Sequence, residues 1–235
     1  MKAKIPTVLL GTTTIPNNGG ELTLSQREDV FFINLKGVQG ELMSSRMYSS
    51  ELALAELGCA HLHKVENARV LVGGLGMGFT LAAALQTTTS SAEVVVAELV
   101  PGVVEWNQGV LGECAGRPLN DKRTHVHLGD VAELFSVNPS KPHRTAQTTF
   151  DAILLDVDNG PEAFTHADNS NLYSVDNLHA IRETLRPQGV LAVWSAWHDP
   201  SFTKKLKKAG FNVNFKTVRA HKGKGSKHTI YLAKK

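Results

Sequence analysis

A short apolar run, Arg69-Val70-Leu71-Val72, ends in Gly73-Gly74-Leu75-Gly76-Met77-Gly78, and a helical apolar pattern over Phe79–Gln86 begins at once. Strand, glycine loop and helix in that order commit the chain to a parallel β–α unit, because parallel strands need a long crossover. The pattern then repeats. Glu93–Ala97 reads as a strand and Pro101–Leu111 as a helix with Pro in its first turn. Thr124–Leu128 and Phe150–Leu155 read as further strands, the latter nearly pure apolar, as burial on both faces requires. A helix over Val175–Leu185 is ended by Arg186-Pro187-Gln188-Gly189, Val190–Trp194 is a fifth strand, and a helix over Phe202–Ala209 stops at Gly210. This alternation predicts a parallel sheet with right-handed crossovers. Phe211–Val218 and Thr229–Ala233 have no helix between them, only the loop His221–Lys227, so they are expected to close the sheet as an antiparallel hairpin.

Upstream of this rhythm the signals are weaker. Glu21–Leu24 and Val30–Leu35 alternate polar and apolar residues, which predicts a small β-hairpin after a tail and the loose stretch Thr12–Gly20. Ser136–Thr149 is a second loose stretch. Met47, Leu52, Leu54, Ala55 and Leu57 recur at helical spacing within Ser44–His63. The expected division is residues 1–63 (tail, hairpin and leading helix) and residues 64–235 (a Rossmann-like domain). At 235 residues, 42% hydrophobic and 20% charged, the chain suits one large α/β domain with an appendage.

Partners follow from composition. No apolar run approaches the roughly 18 residues of a membrane-spanning helix, and Val8-Leu9-Leu10 is too short for a secretory signal. Cys59 and Cys114 lack CxxC spacing and read as reduced thiols. The expectation is a cytoplasmic protein with no membrane partner; a homodimer remains open. Ser201–Lys235 holds eleven Lys or Arg and no acid, on a body with net charge −8. Such a face could bind nucleic acid, but charge runs usually solvate. Lys204, Lys205, Lys207, Lys208 and the loop 222–227 are therefore expected to be solvated and dispensable for catalysis. Phe202, Phe211 and Phe215 look like core positions rather than base-stacking aromatics.

The chemistry-bearing residues stand at strand ends. Gly74, Gly76 and Gly78 allow a tight turn and let a ligand lie against backbone at a helix N-terminus; a turn that only packs helix on strand is the alternative. Glu98 ends the second strand, 20 residues after Gly78, where a carboxylate can accept from both hydroxyls of a ribose. Following four apolar residues, it needs a partner. Asp130, with Val131 beside it, ends the third strand and can reach an adenine amino group or cap a short helix. Asp156 and Asp158 end the fourth strand, one residue apart. Facing one side, they could raise one another's proton affinity, which suits a base; an Asx turn before Gly160-Pro161 is the other reading.

Four strand ends converging on a nucleoside-shaped site resemble a class I S-adenosylmethionine-dependent methyltransferase, with the seven-stranded, mostly parallel sheet that this implies. Leu172-Tyr173-Ser174, the stretch Leu185–Ser195 and Asp156–Pro161 are similar to segments of the spermidine synthase family, and Gly37-Val38-Gln39 and Tyr48-Ser49-Ser50-Glu51 echo its approach segment. The resemblance spans about residues 30–235. It implies that the first Asp after the fourth strand, Asp156, faces the attacking amine, with Tyr173 as a polar wall. The departures are informative. Gly76 stands where that family has an Asp for the amine of decarboxylated S-adenosylmethionine, and Ser50 replaces its His. Arg46 lies nearby, and a cation favours a donor that keeps its carboxylate.

The sequence thus points to a transferase using S-adenosyl-L-methionine, a methyltransferase on a small, amine-bearing acceptor. The alternatives are a polyamine aminopropyltransferase using decarboxylated S-adenosylmethionine, an RNA-directed methyltransferase, and a non-catalytic relative. The assigned roles are catalytic for Asp156, Asp158 and Tyr173, and donor-binding for Gly74, Gly76, Gly78, Glu98, Asp130, Val131 and Arg46. No metal is called for.

Overall fold

The computed structural model describes residues 5–135, 149–157, 172–221 and 224–235. Two sheets organise them. The larger is built from β5 (Arg69–Gly73), β6 (Glu93–Glu98), β7 (Thr124–Leu128), β8 (Phe150–Leu155), β9 (Leu185–Ser195), β10 (Asn212–His221) and β11 (Lys224–Lys234), in the spatial order β10-β11-β9-β8-β5-β6-β7. Strands β5 to β9 run parallel, and β11 pairs antiparallel with both β9 and β10, so within this sheet it is the strand that runs against the others. This is the expected Rossmann-like methyltransferase sheet. The chain moves outward from β5 to β6 and β7, then returns to the other side of β5 for β8 and β9. The seam between β5 and β8 is therefore a topological switch point, where open α/β sheets bind ligands beyond their strand ends.

Alternation along the central strands assigns the two faces. Val70, Val72, Ala152 and Leu154 point to the layer of α1 (Ser49–Gly58) and α2 (Phe79–Thr87), whereas Leu71, Ile153 and Leu155 point to that of α4 (Val175–Thr184) and α5 (Pro200–Lys208). Each such aliphatic side chain contributes about 1.5–3 kcal/mol on burial. Helix α1 lies on the large sheet so closely that a Cβ on Gly58 would meet Leu154 at 2.3 Å. Ser174 caps α4 by accepting from the Asn177 N–H (3.2 Å), and Asp199 caps α5 through Ser201 (2.7 Å).

Several expectations need correction. The N-terminal tail is a strand, β1 (Val8–Thr14), in a four-stranded antiparallel sheet with β2 (Glu21–Arg27), β3 (Val30–Leu35) and β4 (Met43–Ser44). Its threonines are β-branched and suit a strand despite their polarity. β1 docks on α3 (Pro101–Gln108), where a Cβ on Gly102 would meet Thr13 at 2.5 Å. The segment Arg186–Gly189 is no simple helix stop but a bulge inside β9: Leu185 pairs with Phe150 before Val190 pairs with Ala152. The C-terminal loop is shorter than expected, since the hairpin remains paired to His221 and Lys224. Polar side chains do not stop an exposed ribbon from closing its backbone hydrogen bonds. Phe202 and Phe211 are in the core, but Phe215 lies on an edge strand, 42% exposed, stacked on His198 at 4.3 Å.

Candidate active site

The loop after β5 sits between the ends of its two neighbours. Gly74 has φ +91, and a Cβ there would come within 2.4 Å of the Asp156 carbonyl oxygen. Only glycine permits both the turn and the approach. On the β6 side, Glu98 is 8% exposed. Its Oε2 accepts from the Leu75 N–H (2.9 Å) and its Oε1 from the Val100 N–H (2.8 Å). The charge expected to need a partner finds two backbone donors, one of them in the glycine loop. Asn107, deep in α3, donates from Nδ2 to the Gly76 carbonyl (2.8 Å) and secures the loop from a third direction.

A cavity of about 440 Å³ opens over this loop. Gly74, Gly76 and Glu98 line it, with Asp130 and Val131 from the end of β7. Asp130 also accepts from the Ala132 N–H (2.8 Å), so the capping and lining readings hold together. Ile15, Leu22, Ile33 and Met43 of the N-terminal sheet supply an apolar cover. Asp156 closes one end.

Asp156 also lines a second, smaller cavity of about 90 Å³, with Glu51, Thr80, Met43, Phe79 and Trp194. Its backbone N–H donates to the Gly73 carbonyl (2.8 Å), and its Oδ2 accepts from the Thr80 hydroxyl (2.6 Å). Burial raises the Asp156 carboxyl to about 6, opposed by the Thr80 bond. Burial first, and then the facing charge of Asp156, raise the Glu51 carboxyl to about 7, opposed by the Ser50 hydroxyl that donates to it. Trp194 Nε1 is buried with no hydrogen-bond partner among the described residues.

The structure thus gathers Gly74, Gly76, Glu98, Asp130, Val131 and Asp156 around the larger cavity. It sets the other expected site residues apart. Gly78 is the N-cap of α2, beneath Asn107 and Pro118. Tyr173 is 1% exposed and packs edge-on against Phe202 in the core (5.3 Å). Arg46 points outward, its side chain 60% exposed and paired with Asp29 at 2.9 Å. Asp158 lies outside the described residues. Sequence reasoning did not assign Thr80, Asn107, Trp194 or the role of Glu51. A hydroxyl within the apolar run Phe79–Leu85 of α2 was the available signal for Thr80; the placement of Glu51 depends on how α1 docks.

The sequence profile of a family of S-adenosyl-L-methionine-dependent methyltransferases matches residues 105–235. No curated protein matches. Among solved structures, a spermidine synthase in complex with the transition state analogue AdoDATO aligns with a TM-score of 0.69 at 16% identity. The spermidine synthase from Thermotoga maritima aligns with 0.71, also at 16%. Each alignment covers 96% of this chain and 72% of the other. At that identity the likeness establishes the fold. The larger cavity fits the donor that the profile implies. Its volume is in the range of about 300–1,000 Å³ usual for such ligands, Gly74 and Gly76 give it a wall without side chains, and acceptor oxygens stand at two successive strand ends. Profile, fold and cavity agree: the chain belongs to the S-adenosyl-L-methionine-dependent methyltransferase family.

Proposed function

We propose that the protein transfers a methyl group from S-adenosyl-L-methionine to a small acceptor bearing an amine. The observation that carries this reading is Asp156, the carboxylate shared by both cavities. In this reading Glu98 holds the ribose hydroxyls, Asp130 reaches the adenine, and the loop from Gly74 carries the donor's remainder. When bound, the donor supplies an electrophilic methyl on a sulfonium. Asp156, fixed by Gly73 and Thr80, orients the acceptor and takes its proton. Aminopropyl transfer is less well supported, because Gly76 has the Met43 sulfur as its neighbour where a carboxylate would be needed for a decarboxylated donor's amine. Calorimetric binding of both donors tests this. A tenfold preference corresponds to about 1.4 kcal/mol. Preference for the decarboxylated donor, with aminopropylated rather than methylated product by mass, would refute methyl transfer.

One observation favours a second acceptor class, RNA. Thr229 is the first β11 residue paired with β9, opposite Ser195. The hairpin therefore overhangs the sheet edge where the cavities open, carrying Arg219, Lys227 and His228. Trp197 and Phe215 are exposed beside this basic region, so the aromatic argument against RNA no longer holds. RNA affinity falling steeply with salt, through counterion release, would establish this reading. Absence of RNA binding at low salt would remove it.

A further inference from the structure

This inference rests on the reading that the smaller cavity takes the acceptor. Sequence reasoning set Asp156 beside Asp158, but among the described residues the carboxylate that lines the smaller cavity with it is Glu51, brought from the start of α1. We propose that Glu51 and Asp156 work as one pair with a single negative charge, binding the ammonium end of an unbranched amine and receiving its proton.

The geometry supports three parts of this statement. First, two carboxyls facing one another in a buried wall do not both ionise near neutral pH, so the pair behaves as a unit. Burial and mutual repulsion raise Glu51, and burial raises Asp156. Second, among the described residues Glu51 and Asp156 are the ionisable side chains lining this cavity, and none of those residues sets a cation against them there. Helix α2 presents no ionisable group to them. On the other elements packed against α1, Asp151 of β8 is tied to Arg69 and Arg186. Lys216 of β10 and Lys234 of β11 are exposed, as is Glu56 of α1 itself. Burial holds His228 of β11 below the usual histidine range, towards the neutral form, and its ring lies 4.7 Å from that of Trp194. His61, after α1, is likewise lowered by burial, and bonds the Asp151 carbonyl. Tyr48 stacks on Phe79 at 4.6 Å. Third, about 90 Å³ walled by Met43, Phe79 and Trp194 admits only the narrow end of an acceptor, with an aromatic face for its cation.

The proton step balances. An ammonium N–H bond breaks, its electron pair stays on nitrogen as the nucleophilic lone pair, and the proton forms an O–H bond on the ionised carboxylate. A cation and an anion become two neutral groups, which a poorly hydrated cavity favours.

Calorimetry with n-propylamine and 1-propanol as probes, on protein saturated with S-adenosylhomocysteine, tests the pair without any turnover. The amine should bind at least tenfold more tightly than the alcohol at pH 7. Its affinity should fall between pH 7 and pH 5, with a proton released to buffer, detected by comparing buffers of different ionisation heat. Glu51→Gln should weaken the amine at least tenfold and move this pH dependence to lower pH, since the carboxyl raised to about 7 is gone and Asp156, raised by burial to about 6, then titrates alone. Glu51→Asp should restore part of both, and it carries the test if the Gln variant does not fold. Equal binding of amine and alcohol would overturn the proposal. So would wild-type amine affinity and pH dependence in a folded Glu51 variant that still binds S-adenosylhomocysteine. A reversed donor preference would instead refute methyl transfer and leave these amine measurements standing.

Discussion

Glu98 is the residue whose loss the structure prices differently from the sequence. A ribose-binding carboxylate alone would predict weaker donor binding and an intact fold. The carboxylate, however, also accepts the Leu75 and Val100 N–H groups (2.9 and 2.8 Å) at a site 8% exposed. A buried donor left without an acceptor costs about 1–3 kcal/mol. Glu98→Ala abandons both donors, so about 2–6 kcal/mol of stability should go, from a total of about 5–15 for an ordinary domain. Glu98→Gln is the cleaner perturbation. Its amide oxygen can keep one N–H, its NH₂ opposes the other, and the cost should be about 1–3 kcal/mol. Urea unfolding should show a lower midpoint for Gln and a much lower one for Ala, with the slope unchanged. The Gln variant, folded at 25 °C, should bind S-adenosyl-L-methionine at least tenfold more weakly, since a charged hydrogen-bond partner is worth about 1.5–3 kcal/mol. Unchanged donor affinity in folded Glu98→Gln would reduce this residue to a brace for the loop. Unchanged stability in Glu98→Ala would refute the account of the two backbone bonds.

Asp156→Asn should retain donor binding by calorimetry and lose turnover of an identified amine by about a hundredfold or more; full turnover would make this strand end scaffold. Gly74→Ala should destabilise by more than about 1 kcal/mol in thermal unfolding, because its Cβ meets the Asp156 carbonyl at 2.4 Å and φ is +91. Glu51→Gln should stabilise the protein near pH 7 and not at pH 4. The folded carboxyl is raised to about 7, above its unfolded value, so the folded state holds the extra proton and wild-type stability falls as pH rises between about 4.5 and 7. After allowance for solvent screening the gain should be about 1–2 kcal/mol, read as a difference in Tm that closes on acidification.

The centre of the parallel sheet was legible because β5, β6 and β8 are buried on both faces. Val70–Val72 and Ala152–Leu155 read as strands on composition alone, and each ends where a glycine or a carboxylate interrupts the run. Gly74, Glu98 and Asp156 were legible for the same reason: a glycine or a carboxylate at the end of a buried run marks the rim of the sheet, whereas Asp130 follows the edge strand β7, which is half-buried or exposed throughout. Position along the chain says less about direction. Arg46 and Tyr173 are near the site in sequence, but Arg46 is turned out towards Asp29 and Tyr173 is turned into the core against Phe202. Glu51 is the converse. Nothing in Ser49-Ser50-Glu51 places it opposite a residue 105 positions later; that depends on α1 lying across β8 and β9, which Gly58 permits by its close approach to Leu154. Strand β1 was missed because Gly11-Thr12-Thr13-Thr14 looks like a linker until its docking on α3 supplies the burial.

Strand order explains why the acids fall where they do. β5 lies between β8 and β6, so the glycine loop at its end has one acid-bearing strand end on each side. Glu98 grips the loop from the β6 side through the Leu75 N–H. Asp156 is gripped from the β8 side at both ends of the loop, by the Gly73 carbonyl and the Thr80 hydroxyl. The larger cavity rests on the first connection and the smaller on the second, so a displacement of the loop moves both together. Each feature opposes stability when taken alone: glycines at positive φ lose backbone freedom, and carboxyls raised by burial weaken the fold near neutral pH. Their concentration at a single seam, with the apolar core placed on either side of the sheet instead, is what a site selected for alignment rather than stability would show. The register of β8 enforces it. Ala152, Ile153 and Leu154 pair in step with Val70, Leu71 and Val72, and a slip by one residue would send Asp156 to the opposite face and set Val157 against the smaller cavity.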